Sequence, residues 1–315
     1  MQSLDFTVLT HAQHSVIQKQ PAWLCTIVKT VGSSPRPVGS MMSYSQQKAV
    51  GTLSGGCVEE DLIERLECGE FSTRQPKLVV YGVSADENER LGLPCGGSLH
   101  ILVQTLDESD LPWLTEAVRK LEERSVIRRD VERSSGQTTL TPCGSHHPLT
   151  VDESYLRHTL GPHMRMLLVG AGQLAQVLSS LALAMDFEVL IIDSREEAIA
   201  QWQGPTLPIL HGFADDLIRA QKPDQHTLII TLTHDPRIDD MALMEALQSG
   251  AWYVGALGSA RTTKARLERL KTLGLSDQQL ARLHAPVGLN IGSKTPWEIA
   301  VAIMAEVIQQ QRRMT

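Results

Sequence analysis

Aromatic residues are scarce in this sequence. Phenylalanine, tyrosine and tryptophan together make up 4% of its 315 residues, so the core must be built mainly from leucine, valine, isoleucine, alanine and methionine. Hydrophobic residues nevertheless reach 42% and charged residues 21%, which is the balance of a soluble globular protein and excludes a collagen-like or disordered chain. A chain of this length is expected to form two domains of roughly 150 residues each.

A basic surplus is also missing. The formal net charge is −7, which argues against nucleic-acid binding because proteins that neutralise phosphates carry an excess of lysine and arginine. No run of like charges predicts a membrane-binding patch. Residues 1–14 contain no basic region followed by an apolar core, so no signal peptide is predicted. We therefore expect a cytoplasmic protein.

One uncharged stretch, residues 166–185, is long enough to span a bilayer. Polar residues and the turn Gly170-Ala171-Gly172 interrupt it. A buried strand followed by a buried helix explains the same pattern, and we expect no membrane span.

The five cysteines form an odd set with no pair at a zinc-binding spacing, and in a reducing compartment they should be free thiols. A buried structural role is expected for Cys25, Cys68 and Cys143. The other two lie beside glycine pairs, in Gly55-Gly56-Cys57 and Cys95-Gly96-Gly97. Paired glycines let a bulky ligand approach the main chain.

Cys57 is predicted to start a helix, where exposed N–H groups favour a thiolate, and a thiolate is a soft ligand suited to a metal-bearing cofactor. The alternative is a small buried hydrophobic residue. Glu59 and its acidic neighbours oppose both thiolate formation and phosphate binding at this turn, but a carboxylate such as Glu59 suits the donor edge of a pterin. Its alternative is a helix-capping role. Arg36 lies between two prolines and is a candidate anion clamp, or else a solvated arginine.

The order of predicted elements indicates an α/β protein. Residues 1–130 predict a mixed α+β domain that contains the glycine-flanked cysteines. Residues 131–163 lose periodicity and accumulate polar residues, glycine and proline, so a linker is predicted there. Residues 164–315 alternate strands and helices, which predicts a Rossmann-like domain with a parallel sheet.

A glycine-rich turn begins this second domain. Gly170 and Gly172 form a G-x-G-x-x-A pattern between a strand and a helix, where the backbone can approach a pyrophosphate. Asp193 ends the next strand, where a carboxylate can accept hydrogen bonds from a ribose. The pattern predicts the fold, but a Rossmann-like domain without a bound nicotinamide remains equally compatible with it.

Together, these motifs resemble those of the XdhC/CoxI family, accessory proteins of xanthine dehydrogenase and related molybdenum hydroxylases. Seven segments carry the resemblance in the same order: residues 32–39 (GSSPRPVG), 51–59 (GTLSGGCVE), 93–97 (LPCGG), 169–172 (VGAG), 233–235 (THD) with Asp239, 253–259 (YVGALGS), and 285–292 (APVGLNIG) running into 295–300 (TPWEIA).

The resemblance implies a chaperone, not an enzyme. Such a protein binds the molybdenum cofactor, as molybdopterin or its dinucleotide form, protects it during sulfuration and inserts it into a xanthine dehydrogenase-like or aldehyde oxidase-like hydroxylase. A cysteine desulfurase is a further implied partner. The family's motif cysteine corresponds to Cys57, and its second glycine-flanked cysteine to Cys95. The sequence leaves open whether the chain acts as a monomer or a homodimer.

An NAD(P)-dependent oxidoreductase that uses Gly170, Gly172 and Asp193 is the alternative function. No proton-transfer pair is apparent in the sequence beside this turn, which counts against it.

Overall fold

The computed structural model describes residues 4–32, 36–83, 97–143, 147–162, 164–233 and 235–313. The chain divides into two compact units, residues 2–162 and residues 163–315. We call them the N-terminal and C-terminal units.

The N-terminal unit contains a five-stranded antiparallel sheet in the order β3-β2-β1-β5-β4. Its strands and helices in chain order are α1 (Leu4–Ile17), β1 (Ala22–Val31), β2 (Met41–Ser45), β3 (Lys48–Gly51), α2 (Cys57–Glu67), β4 (Lys77–Tyr81), β5 (Ser98–Leu106) and α3 (Leu111–Glu122).

Helices cover both faces of this sheet because its strands alternate buried residues between the two sides. Leu24 of β1 packs in a cluster with residues of α1 and α3. Cys25 and Ile27, also of β1, pack in a second cluster. This cluster contains Ile101 of β5 and Val58 and other residues of α2. The start of α2 is therefore anchored on one face of the sheet.

A second, four-stranded antiparallel sheet follows in the order β7-β6-β9-β8. Its strands are β6 (Ile127–Glu132), β7 (Thr138–Pro142), β8 (Thr150–Val151) and β9 (Tyr155–Leu160). The predicted linker over residues 131–163 is therefore wrong. The strands of this second sheet carry arginine, aspartate and threonine among few apolar residues. This composition hides the two-residue periodicity of a half-buried strand.

Arg129 of β6 is fully buried. Its Nη2 donates to Thr26 Oγ1 at 3.2 Å and its Nη1 to Met41 Sδ at 3.7 Å, and its guanidinium lies 5.8 Å from the centre of the Trp113 ring. Burial lowers the pKa of Arg129 to about 10, although nearby Asp5 opposes this effect. The side chain thus remains a cation at neutral pH inside the unit.

The C-terminal unit is built on a six-stranded parallel sheet in the order β12-β11-β10-β13-β14-β15. Its elements in chain order are β10 (Arg165–Val169), α4 (Gln173–Ala184), β11 (Glu188–Asp193), α5 (Glu196–Ala200), β12 (Ile209–His211), α6 (Ala214–Ala220), β13 (Thr227–Thr231), α7 (Pro236–Gln248), β14 (Tyr253–Ala256), α8 (Ala260–Thr272), α9 (Asp277–Leu280), β15 (Leu283–His284) and α10 (Pro296–Arg312).

Helices lie on both faces of this parallel sheet. The helices α4 and α10 pack on one face, against residues such as Leu168, and α6, α7 and α8 pack on the other, against residues such as Leu167. All five residues of β10 are buried. The predicted fold class, a mixed α+β domain followed by a Rossmann-like domain, is confirmed.

Residues 166–185 form β10, the glycine turn and α4, as the sequence predicts. Within the part of the chain that the structure describes, no helix is long and apolar enough to cross a membrane.

The strand order locates the part of the sheet where a ligand is expected. Numbered from β10, the six strands run 3-2-1-4-5-6, and the chain reverses direction across the sheet between β10 and β13. Open parallel sheets bind ligands outside the carboxyl ends of the strands at such a switch point. The glycine turn after β10 lies there.

Candidate functional site

The first candidate site is the turn that leads into α2. Cys57 is the first residue of this helix and is exposed. Gly56 precedes it without a side-chain cap, and Gly55 has a φ of +75°. A Cβ added to Gly56 would meet nothing within 4 Å. The thiol therefore lies beside an open stretch of main chain.

Glu59 holds this turn together. Its Oε1 accepts hydrogen bonds from the backbone N–H groups of Leu53 at 2.6 Å, Ser54 at 2.7 Å and Gly55 at 2.8 Å, and from the Thr52 hydroxyl at 2.6 Å. Burial raises the pKa of Glu59, but these hydrogen bonds outweigh it, and the pKa lies below its ordinary value. The carboxylate is thus stabilised in its charged form.

This geometry limits what the turn can bind. Glu59 takes the N–H groups of Leu53, Ser54 and Gly55, so an anion at this turn could not use these three. The expectation that the turn is poor for phosphate stays a prediction. Because the four hydrogen bonds converge on Oε1, a pterin could contact Glu59 only through Oε2. Such a contact stays a prediction.

The remaining cysteines differ in their surroundings. Cys25 is fully buried, and burial raises its pKa to about 12, which fits the expected structural role. Cys68 is exposed at the other end of α2, so the expectation of a buried residue is wrong there. Cys143 is half-buried. Cys95 lies outside the described residues.

Arg36 is exposed, and residues 33–35 before it lie outside the described part of the chain. Its role as an anion clamp stays a prediction. Among the described residues, no cluster of three or more histidine, cysteine, aspartate or glutamate side chains could hold a metal ion.

The second candidate site is the glycine turn of the C-terminal unit. Gly170 has a φ of +111°, and a Cβ on it would lie 2.9 Å from Cγ2 of Thr233, which follows β13. Gly172 precedes α4 without a side-chain cap, and a Cβ on it would meet nothing within 4 Å. Backbone geometry and packing require the first glycine, while the second leaves open space before the helix.

Asp193 lies beside this turn, as predicted, but its carboxylate is engaged. Its Oδ2 accepts from the backbone N–H of Ala171 at 2.7 Å and from Nη2 of Arg195 at 2.7 Å. Its Oδ1 accepts from the backbone N–H and from Nε of Arg195, both at 2.9 Å. Burial raises the pKa of Asp193, but these hydrogen bonds outweigh it and lower the pKa overall.

Sequence reasoning missed Arg195. The sequence does contain a signal for this contact. Arg195 comes two residues after Asp193, which ends β11, and is close enough to fold back onto the Asp193 carboxylate. A hydrogen bond from Asp193 to a ribose, the predicted role, stays a prediction and would compete with Arg195.

A buried ion pair behind the glycine turn was also missed. Asp239 of α7 and Arg266 of α8 pair at 2.8 Å with side chains 1% and 3% exposed. Asp239 also accepts from the Thr233 hydroxyl at 2.7 Å, and Arg266 donates to the Leu257 carbonyl at 3.0 Å. The pair therefore joins the segments that follow β13 and β14. No sequence spacing linked these residues, because they lie on different helices.

Two family models match the chain. The model described as the XdhC and CoxI family matches residues 16–82, which include the Cys57 turn. The model described as the XdhC Rossmann domain matches residues 166–307, which include the glycine turn and the buried ion pair.

Three curated proteins are similar over most of this chain. It is 28% identical over 305 residues to the molybdenum cofactor insertion chaperone PaoD of Escherichia coli, covering 96% of this chain and 87% of PaoD. It is 26% identical over 322 residues to a probable xanthine dehydrogenase subunit from Bacillus subtilis, covering 94% of this chain and 95% of that relative. It is 25% identical to protein YqeB of Escherichia coli, but spans only 46% of that relative's length.

A solved structure shares the whole architecture. A crystal structure described as a xanthine dehydrogenase from Bacillus halodurans matches with a TM-score of 0.75 and 25% identity, covering 98% of this chain and 97% of that one. Both units are therefore found together in another protein.

Proposed function

Because the chain belongs to the XdhC and CoxI family, we propose that it is an accessory protein that binds the molybdenum cofactor, protects it during sulfuration and inserts it into a molybdenum hydroxylase. The client would be a xanthine dehydrogenase-like or aldehyde oxidase-like enzyme in the cytoplasm, and a cysteine desulfurase would supply the sulfur. The relative PaoD, named a molybdenum cofactor insertion chaperone, supports this role.

One observation carries the proposal: Cys57 is an exposed thiol at the start of α2, beside glycines that leave the main chain open. An exposed thiol at a helix N-terminus can supply a soft ligand to molybdenum. The Glu59 hydrogen bonds fix the turn before any ligand arrives, which reduces the cost of ordering it on binding.

The glycine turn of the C-terminal unit would bind a phosphate group, either of a nucleotide or of the cofactor. The open space before α4 admits a phosphate close to the main chain, and the N–H groups at the helix start favour negative charge. The cofactor would be held without a reaction of its own, so the protein would act in stoichiometric amounts.

The oxidoreductase is the second candidate, and the strand order of the C-terminal unit favours it, because this order is that of dinucleotide-binding domains. The hydrogen bonds of Asp193 weigh against it, since the carboxylate that would accept from a ribose is occupied. Calorimetry with NAD and NADP, followed by a search for substrate-dependent reduction, separates the two functions.

The test is capture and transfer of the cofactor. We expect the protein purified from a molybdate-fed host to carry a pterin in a near-stoichiometric amount by mass spectrometry. Loaded protein mixed with apo-hydroxylase should restore substrate oxidation faster than free cofactor does. Equal rates with free cofactor, or no activity with loaded protein, would reject the delivery role.

A further inference from the structure

The carboxylate of Asp193 has no vacant acceptor position. Its side chain is fully buried, and it accepts four hydrogen bonds, from Ala171 and from three N–H groups of Arg195. An ionised carboxylate offers about four lone-pair sites. A ribose hydroxyl could therefore bind Asp193 only by displacing one of these donors.

Arg195, in contrast, has donors left. Its side chain is 46% exposed, and Nε and Nη2 point at Asp193. Within the described residues, Nη1 makes no hydrogen bond, so the edge formed by Nη1 and Nη2 faces away from the carboxylate. The buried Asp193 fixes the plane of the guanidinium, and Asp193 in turn bonds the backbone of the glycine turn at Ala171. The cation is thus preorganised beside that turn.

We propose that Arg195 makes the glycine turn select a phosphomonoester over a ribose with free hydroxyls. A guanidinium edge donates two parallel hydrogen bonds to the oxygens of a doubly charged phosphate. The inference rests on the proposed function, in which this turn holds the phosphate end of the pterin. In molybdopterin that end is a phosphomonoester, whereas in the dinucleotide form it lies within a pyrophosphate.

The test uses the full-length chain and a stable probe. Fluorescence titration compares the oxidised, fluorescent derivative of molybdopterin that keeps its phosphate with the same pterin after phosphatase treatment. We expect the phosphorylated pterin to bind about tenfold tighter or more, the range expected for hydrogen bonds to a charged group. Arg195→Gln should abolish this ratio, and Arg195→Lys should retain part of it because the charge remains.

Arg219→Gln is the matched control. Arg219 also pairs with a carboxylate, that of Glu245 at 2.6 Å, and its side chain is 61% exposed, but it lies in the last turn of α6 and not after β11. This variant should keep the wild-type ratio. Circular dichroism and thermal unfolding of each variant separate a loss of selectivity from a loss of fold.

The outcomes are distinguishable. Equal binding of both pterins to the wild type would overturn the inference and leave cofactor capture standing. Binding of neither pterin would overturn the proposed function as well. NADP carries a phosphomonoester that NAD lacks. Titration with both nucleotides therefore shows whether the phosphate that Arg195 binds belongs to a pterin or to a nucleotide. NADP binding tighter than the phosphorylated pterin would overturn the assignment to the pterin.

Discussion

The methyl group of Thr233 occupies the space that any side chain on Gly170 would need. A Cβ at Gly170 would lie 2.9 Å from Thr233 Cγ2, which is closer than a carbon–carbon contact tolerates. The turn after β10 and the end of β13 therefore fit together only because one of the two residues is glycine.

Gly170→Ala should destabilise the C-terminal unit by about 1 to 3 kcal/mol, because the substitution adds both the contact with Thr233 and the strain of a positive φ. Urea denaturation measures the change. Thr233→Ser removes the methyl group but keeps the hydroxyl that bonds Asp239, so the double variant should recover part of the loss. A double variant as unstable as the sum of the two singles would show that the methyl group is not the obstacle.

The turn before α2 should depend on pH through Glu59. Its pKa is lower in the folded protein than the ordinary value of 4.5, so its contribution to stability is fully present above pH 4.5 and is lost as pH falls through the folded pKa. Glu59→Gln should lower the free energy of unfolding by about 1 to 2 kcal/mol at pH 7. The difference from wild type should shrink on acidification.

Glu60→Gln is the control for that series, since Glu60 is the exposed neighbour in the same helical turn. A Glu59→Gln effect that stays constant from pH 7 down to pH 3 would contradict the prediction.

Asp239→Ala should be among the most damaging substitutions in the C-terminal unit. It removes the carboxylate that Arg266 bonds at 2.8 Å and leaves only Asp240, 3.8 Å from Nε of Arg266, and removal of one partner of a buried pair costs about 3 to 5 kcal/mol. Chemical denaturation provides the measurement. The pair of Lys271 and Asp277 is exposed on both sides, so Asp277→Ala should change stability by less than about 1 kcal/mol. Similar losses in the two variants would show that burial of the pair is unimportant.

Thiol labelling should distinguish the cysteines of α2 from the core. Native protein should be alkylated at Cys57 and Cys68, which are exposed, but not at Cys25, whose buried thiol has its pKa raised to about 12. Bound cofactor should protect Cys57 and leave Cys68 reactive, as mass spectrometry of the peptides would show. Equal protection of both would indicate that the whole helix is covered.

Cys57→Ala should reduce the molybdenum cofactor that copurifies, because the substitution removes the soft ligand without adding bulk. Cys68→Ala, at the opposite end of the same helix, should not. Inductively coupled plasma mass spectrometry of molybdenum in each variant provides the measurement, and equal occupancy in the two would remove Cys57 from the site.

The C-terminal unit was predictable because its strands are buried on both faces. After Arg165 the four remaining residues of β10 are apolar, and so are the four between Glu188 and Asp193 in β11. Gly170 follows the first of these runs and Asp193 follows the second. The sheet of β6 to β9 was not predictable by the same means, since its buried positions include Arg129. A charged residue at a core position reverses the signal on which hydrophobic periodicity depends.

The candidate sites were predictable only in part. Glycines and cysteines are recognisable by their spacing, but the partners of a carboxylate are not. Asp193 was placed correctly beside the turn, whereas its bonds to Arg195 depend on how a side chain folds back. The same holds for Glu59, whose hydrogen bonds to the loop before α2 follow from the loop's path and not from residue type.

The buried guanidinium of Arg129 also determines how strand β6 can align with its neighbours. Arg128 and Asp130, on the opposite face of the strand, form an ion pair at 2.8 Å. A slip of one residue would turn Arg129 towards water and force that pair inward. Misaligned pairing would therefore bury the charges of both Arg128 and Asp130. Arg129 would lose the Thr26 hydroxyl and the Trp113 ring that accommodate its charge in the native alignment. In β6, the buried charge of Arg129 therefore acts together with the buried apolar side chains of Ile127 and Val131 to fix the alignment of the strand.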